Sequence, residues 1–455
     1  MLTLSNKIKI FRKKDGAYIV DRGTGKYLFF NESATDWISL FQYRKISIDE
    51  ALVIILEQYP LEVQKEVTRD FKEFVEALLK NGYLVEKEIY SNDNITESYP
   101  LAECEPKLIE KLSSVTIEVT ERCNEHCLHC YLPDNRKNKG QSLTIQEIQN
   151  CIDQLMDLGL ERVTFTGGEA MLHPNLIEAI RFAKSKNLYV SVLSNLTILT
   201  HDIMNIVSES DDTQIKVSLY AITEEIHDYI TGLKGSCKRT KDAILELKKR
   251  GVSVSLSMVV MKENYQEICN MIKFAKENDL VLQFDYVMMA RSDFDNSNLL
   301  HRMTIVETEQ FFRMMLEYDL NFGLSILKKN DFAKGEKLES FICHVATDGC
   351  CISSNGDVYL CPSWQDIPLG NIKEQNLFDI WNNNATLSKM RDLSISDIKG
   401  CKDCDYINFC CICLARNYYE NDGDMFIPTK ETCDVAKLGK RLFEEYSLKQ
   451  DKATV

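Results

Sequence analysis

The chain reads as an α/β protein in three parts: a small N-terminal module, a central run of alternating strands and helices, and a cysteine-rich C-terminal region. Three observations predict this. Six β-rich runs, 115–119, 162–166, 188–193, 214–219, 252–258 and 281–286, are separated by helical patterns near 145–158, 175–186, 203–208, 239–250 and 265–277. Such alternation implies a parallel sheet built from right-handed crossovers. The first run is followed directly by Cys123, Cys127 and Cys130, and ten of the 17 cysteines lie between Cys343 and Cys433.

In the N-terminal ninety residues, 7–12, 17–21 and 26–30 alternate or run apolar around Asp15-Gly16 and Gly23-Thr24-Gly25, the pattern of a three-stranded antiparallel meander. Ser33 and Ser47 are the expected N-caps of helices near 34–43 and 48–58, and a third helix runs from about 62 to 80. Asn81-Gly82 stops it, and Tyr83 to Val85 returns as a strand. Residues 1–90 carry 14 Lys+Arg and 14 Asp+Glu, a net charge of zero. With Tyr18 to Asp21 and Gly25 to Asn31 as its most recognisable parts, this stretch resembles the winged-helix-like recognition element that binds leader peptides of ribosomally synthesised, post-translationally modified peptides (RiPPs). A winged helix that reads DNA needs a basic face instead. An edge strand of the meander is expected to capture an extended leader by strand addition. Residues 91–113, with Cys104, Pro100 and Pro106, are expected to be a linker.

The three cysteines after the first central strand stand at Cys-x3-Cys-x2-Cys. A cuboidal iron-sulfur cluster needs four ligands, so three thiolates leave one iron open. Zinc prefers four-ligand tetrahedral sites, and no fourth ligand is obvious near this triplet. The second strand ends in Thr166-Gly167-Gly168-Glu169, where glycines permit close backbone approach. These features resemble the radical S-adenosylmethionine (SAM) family. The resemblance implies a partial (β/α)6 TIM-like barrel over 114–320, with its active site at the C-terminal strand ends. It also implies that the open iron binds SAM and that the reduced cluster cleaves it to a 5'-deoxyadenosyl radical. By the same resemblance Gly167, Gly168 and Glu169 hold the amino group of SAM, Ser218 the ribose, Arg239 the carboxylate through its two-pronged fork, and His129 lies against the adenine. Cys151 and Cys269 read as small packing residues, and Cys237 has no assigned role. Residues 321–342 bridge to the last region.

There, Cys343 is followed by Gly356-x4-Cys361, with Asn355-Gly356 as a hairpin turn, then by Cys401-x2-Cys404-x5-Cys410-x2-Cys413 and Cys433. This order resembles the SPASM domain, expected over 343–440 with a tail at 441–455. The resemblance places Cys343, Cys361 and Cys413 on auxiliary cluster I and Cys401, Cys404, Cys410 and Cys433 on auxiliary cluster II; the fourth ligand of cluster I is Cys350, Cys351 or none, which leaves an iron open to a substrate thiolate. Cys411 is expected to point away from the cluster that Cys410 holds. Three 4Fe-4S clusters and SAM are thus the expected cofactors. Pro362 after Cys361 and the two-residue gap before Cys413 depart from sulfatase-activating members and look more like maturases that form thioethers in sactipeptides and ranthipeptides.

The composition bounds the partners. A net charge of -15 argues against a general affinity for nucleic acid. Residues 1–7 hold no apolar signal segment and no run of about 18 apolar residues occurs, so the expected location is the cytoplasm, away from membranes. Many cysteines without a signal segment point to metal ligation. The function these resemblances imply is thioether crosslinking of a precursor peptide, bound through its leader, with electrons from a donor such as flavodoxin or ferredoxin. The alternatives are a carbon-carbon or carbon-oxygen crosslink, epimerisation or decarboxylation, or a non-enzymatic iron-sulfur redox regulator.

Overall fold

The structure, a computed structural model, describes residues 2–5, 8–13, 16–21, 27–41, 46–86, 112–133, 140–210, 212–329 and 346–453. Cys104, Cys343, residues 91–111 of the expected linker and residues 330–342 of the expected bridge lie outside them. Two compact units are resolved, Met1–Cys104 and Glu105–Val455.

The first unit contains β1 (Leu2–Leu4), β2 (Ile8–Lys13), β3 (Gly16–Asp21), β4 (Tyr27–Asn31), α1 (Glu32–Ser39), α2 (Ile48–Leu56), α3 (Gln64–Lys80) and β5 (Leu84–Glu86). β2, β3 and β4 form the expected antiparallel meander, while β1 pairs antiparallel with β5. α1 starts two residues before the expected helix. Its cap is Asn31, whose Oδ1 accepts from the Ala34 N–H at 2.9 Å, so Ser33 falls inside the first turn. Ser47 caps α2 as expected, in a reciprocal box with Glu50. Phe41, Phe71, Val75, Ile38 and Ile55 make a core within this unit, and burying such side chains stabilises it by about 1.5–3 kcal/mol each.

The second unit is built on β6 (Ser114–Thr120), α4 (Ile145–Asp157), β7 (Arg162–Gly167), α5 (Leu176–Ser185), β8 (Tyr189–Ser194), α6 (His201–Ser208), β9 (Thr213–Ser218), α7 (Glu224–Thr231), α8 (Ser236–Lys249), β10 (Ser253–Val259), α9 (Ile268–Glu277) and β11 (Val281–Asp285). All five neighbouring pairs from β6 to β11 are parallel. This is the expected partial barrel. Along each strand alternate residues face opposite sides. Val115, Ile117, Val163, Phe165, Val190, Val192, Ile215, Val217, Val254 and Leu256 share one core with the helices. Thr116, Glu118, Thr164, Thr166, Ser191, Lys216, Ser218 and Ser257 therefore face the inner side, which is polar. α7, eight residues long, was missing from the sequence pattern.

Beyond the barrel come α10 (Ile305–Tyr318), α11 (Leu320–Leu327), β12 (Gly349–Ile352), β13 (Asp357–Tyr359), β14 (Gly370–Asn371), α12 (Leu377–Asn383), α13 (Ala385–Arg391), α14 (Leu414–Glu420) and α15 (Lys430–Ala453). β12 pairs parallel with β6, so the Asn355-Gly356 hairpin extends the barrel sheet to nine strands. The expected break at residue 440 is absent. α15 runs through it, with Leu442 and Tyr446 buried in the same core as the barrel. A half-buried ion pair of Arg313 with Glu445 and a nearly buried one of Arg302 with Glu420 tie this region to the barrel side. No helix among the described residues is long and apolar enough to cross a membrane.

Candidate functional site

The chain leaves β6 at Thr120 and enters the loop that carries Cys123, Cys127 and Cys130. Two neighbours hold this loop. The His126 and Leu128 N–H groups donate to the Thr231 and Ile230 carbonyls at the end of α7, at 2.8 and 3.0 Å. On the other side Gly168 N–H donates to Thr120 O at 2.9 Å and Glu169 N–H to Arg122 O at 2.8 Å. A Cβ on Gly168 would lie 2.5 Å from Arg122 O, and one on Gly167 would lie 2.2 Å from Thr120 O. The two glycines thus let the backbone approach the cysteine loop itself.

All three loop cysteines are half-buried. Burial pushes the Cys123 thiol up to about 11, with the charges of Glu169, Glu125 and Cys130 adding to it. Cys127 is raised as well, by burial and by Glu125, Cys130 and Cys123. The sulfurs therefore lie within electrostatic reach of one another, around a space where a positive metal centre would reverse this penalty.

The other expected SAM-site residues surround the loop. Glu169 is 2% exposed and its carboxylate is well supplied with donors. Oε1 accepts from Ser194 Oγ at 2.7 Å and Met171 N–H at 2.9 Å, and Oε2 accepts from Asn195 N–H at 2.7 Å. It braces the ends of β7 and β8. Ser218 is the last residue of β9, on the inner face. Arg239 lies in the first turn of α8, exposed, and Nη2 donates to Lys234 O at 3.3 Å. Asp228 holds that helix start, accepting from the Gly235 and Cys237 N–H groups and from Ser236 Oγ. Cys237, without a sequence role, is a buried packing residue. The His129 ring sits edge-on to Tyr220 at 4.5 Å, and His227 stacks on Tyr220 at 5.6 Å.

Four residues that the sequence reading passed over complete the arrangement. Asn195 Nδ2 donates to Asn124 Oδ1 at 2.9 Å, and Thr240 Oγ1 donates to Asn195 O at 2.8 Å, so β8, the cysteine loop and α8 are laced together. Glu125, inside the cysteine loop, is 2% exposed. Its Oε2 accepts from Cys127 Sγ at 3.5 Å, while Oε1 is buried without a hydrogen-bond partner. Burial, with the nearby Glu169 charge adding, pushes its carboxyl up to about 7.

In the C-terminal region Cys401, Cys404, Cys410 and Cys433 lie within electrostatic reach of one another. Burial pushes the Cys401 thiol up to about 11, with Cys404 and Cys433 adding; the Cys410 thiol is pushed up to about 12, with Cys401, Cys433 and Cys404 among its neighbours. Tight turns aim them, Cys404 N–H donating to Cys401 O at 3.2 Å and Cys433 N–H to Thr429 O in the first turn of α15. Cys411 is exposed. Cys413 stands at the start of α14. Cys350 and Cys351, the alternatives for cluster I, point to opposite faces of β12. Cys350 is buried in the barrel core, with Cys151 of α4 within its electrostatic reach. Cys351 shares its face with Tyr359. The Tyr131 phenol, pushed well up by burial, lies in electrostatic reach of Cys351, Cys361 and Cys130 at once. The pleat therefore turns Cys350 away and leaves Cys351 on the side of Cys361. Among the described residues no three His, Cys, Asp or Glu side chains are grouped to hold a single metal ion.

Two family profiles match the chain, the Radical SAM superfamily over residues 117–275 and the SPASM iron-sulfur cluster-binding domain over residues 343–405. An AdoMet-dependent heme synthase of Methanosarcina barkeri is 27% identical over 322 residues, covering 66% of this chain and 90% of its own. The antilisterial bacteriocin subtilosin biosynthesis protein AlbA of Bacillus subtilis is 27% identical over 312 residues, covering 67% of this chain and 68% of its own. In fold, the chain is similar to Streptococcus suis SuiB bound to precursor peptide SuiA, with a TM-score of 0.67 at 16% identity over 95% of this chain and 100% of that one.

Proposed function

We propose that this protein is a radical SAM maturase that installs thioether crosslinks in a ribosomally synthesised precursor peptide. The observation that carries the reading is the pairing of a three-thiol loop at the strand ends with a second set of four thiols within electrostatic reach of one another on the same sheet-based unit. Cys123, Cys127 and Cys130 would hold the SAM-binding 4Fe-4S cluster. Cys401, Cys404, Cys410 and Cys433 would hold one auxiliary cluster, and Cys361, Cys413 and Cys351, with Cys343, the other. When bound, SAM and the reduced cluster supply the 5'-deoxyadenosyl radical that abstracts a hydrogen from the peptide. The protein's own residues position the peptide, supply a polar inner face and exclude competing reactions.

A peptide substrate is supported by the likeness to AlbA and to SuiB. It is also supported by the separate N-terminal unit, whose meander offers strand edges for a leader. The heme-synthase relative favours a second reading, radical chemistry on a small non-peptide substrate. That match covers 66% of this chain, whereas the SuiB fold covers 95%. The test is the mass of a precursor peptide after anaerobic turnover. A loss of about two mass units and one titratable thiol per crosslink is expected, with the electron balance closed by the cofactors. An unchanged mass with an inverted residue, or a loss of carbon dioxide, contradicts thioether formation. Removal of residues 1–90 is expected to abolish precursor binding.

A further inference from the structure

Two acid–base side chains meet at the C-terminal strand ends, where barrels of this kind build their active sites. β10 ends at Val259, and Glu263 stands on the loop beyond it; β11 ends at Asp285, and the segment that follows carries His301. The two segments are stitched together, Lys262 N–H donating to His301 O at 2.9 Å and Lys262 Nζ to Leu300 O at 2.8 Å. Across this seam His301 Nδ1 donates to Glu263 Oε1 at 2.6 Å. The pair remains open to solvent, with 24% of the His301 side chain and 21% of the Glu263 side chain exposed. It also lies close to the cysteine loop. Met261 and Leu299, each two positions from a member of the pair, pack in one apolar cluster with Tyr220, Met288, Cys127 and Leu128. Among the described histidines outside the cysteine loop, only His301 is hydrogen-bonded to a carboxylate. His173 spends both ring nitrogens on the backbone of Leu143 and Asn175, His227 accepts from the Tyr220 N–H, and His201 meets Asn205 on an exposed face.

We propose that His301 is the general base that takes the proton from the crosslinking thiol of the peptide, with Glu263 as its positioning residue. The proposal rests on the thioether reading. The bond to Glu263 sets the tautomer, so Nδ1 keeps its proton and Nε2 offers a lone pair that no described residue takes up. Glu263 Oε2 is buried without a hydrogen-bond partner, so among the described residues its carboxylate bonds to His301 alone and is placed to stabilise the imidazolium. The other charges at the seam are engaged elsewhere. Lys262 is held by Leu300 O, Arg302 by Glu420 and Met288 O, and Glu307 by Thr304 at the start of α10. A base is needed because the thiolate is the nucleophile, and a free thiol is only a few per cent ionised at neutral pH. In the proposed step the S–H bond breaks, the proton passes to His301 Nε2 and the electron pair stays on sulfur, which then bonds to the peptide carbon. The hydrogen of that carbon leaves in 5'-deoxyadenosine, and the one surplus electron goes to an auxiliary iron-sulfur cluster.

The test uses the full chain, reconstituted anaerobically, with a precursor peptide and with the same peptide carrying selenocysteine at the crosslinking positions. Crosslinks and 5'-deoxyadenosine are counted separately. His301→Gln is expected to form 5'-deoxyadenosine as the wild type does, while crosslinks per deoxyadenosine fall about a hundredfold at pH 7, the scale of a positioned base. The deficit should shrink roughly tenfold by about pH 8.5, where the peptide thiol ionises by itself. With the selenol peptide, which ionises without help, it should largely vanish. Glu263→Gln should show a smaller deficit with the same recovery. A deficit that neither pH nor selenium relieves, or one shared by deoxyadenosine formation, overturns the proposal by making His301 part of the loop's architecture. Undiminished crosslinking by His301→Gln overturns it as well. A wild type that turns over the peptide without losing two mass units and a thiol overturns the thioether reading itself.

Discussion

The neighbouring thiols Cys350 and Cys351 show what a single residue step decides. Strand pleating sends the first into the barrel core with Cys151 and the second towards Tyr131 and Cys361. Cys351→Ser is therefore expected to lose iron and change the auxiliary-cluster spectrum, whereas Cys350→Ala is expected to keep both, at a packing cost of about 1–2 kcal/mol. Iron analysis of the two variants checks this. His227 carries a second prediction. Burial holds its imidazole down to about 4, with its Nδ1 accepting from the Tyr220 N–H at 3.1 Å. Because the folded value lies below the ordinary one near 6.5, the stability it confers is full above pH 6.5. Below that the unfolded chain takes up a proton that the folded chain refuses, and about 3 kcal/mol is lost as the pH falls through 4. His227→Asn keeps an acceptor and cannot titrate, so its melting temperature should fall less between pH 7.5 and 5 than that of the wild type. Cysteine type and spacing are local features, which is why the thiols were legible in the sequence. Asn195 was not, because its partners Glu169, Asn124 and Thr240 come from three other parts of the chain.

Elements were most legible where their ends signal themselves. Ser47-x2-Glu50 reads directly as a helix start, and the structure adds Thr144-x2-Glu147 and Thr304-x2-Glu307 as boxes of the same form. Where two caps compete within three residues the choice is finer, and Asn31 displaces Ser33 because its side chain reaches the N–H of Ala34. The short α7 has no such signal, yet its last carbonyls hold the cysteine loop. Gly167-Gly168-Glu169 was legible as a motif but not as a brace. Gly168→Ala places a methyl 2.5 Å from Arg122 O and 2.6 Å from Glu121 O, backbone atoms that cannot turn aside. The expected outcome is a displaced cysteine loop and a loss of about four irons per chain, read by iron analysis, with the auxiliary clusters retained. Retention of all the iron would show that the loop tolerates the shift.

For the whole molecule, the alternation of strands and helices was enough to draw the barrel, since each parallel crossover is dictated by its neighbours. The joining of β12 to β6 was not, because Ile352 pairs with Ile117, 235 positions earlier in the chain, and nothing local announces the pairing. That pairing matters for function. It puts the strand of Cys351 beside the strand that delivers Cys123, so the two cysteine regions share one sheet. The account stands on the claim that these regions hold three clusters in one chain. The measurement that tests it most directly is iron and acid-labile sulfide per chain after anaerobic reconstitution. The account predicts about 12 of each, three four-iron clusters. About four of each would contradict it, leaving the C-terminal thiols without a cluster role and the proposed crosslinking without its electron acceptor.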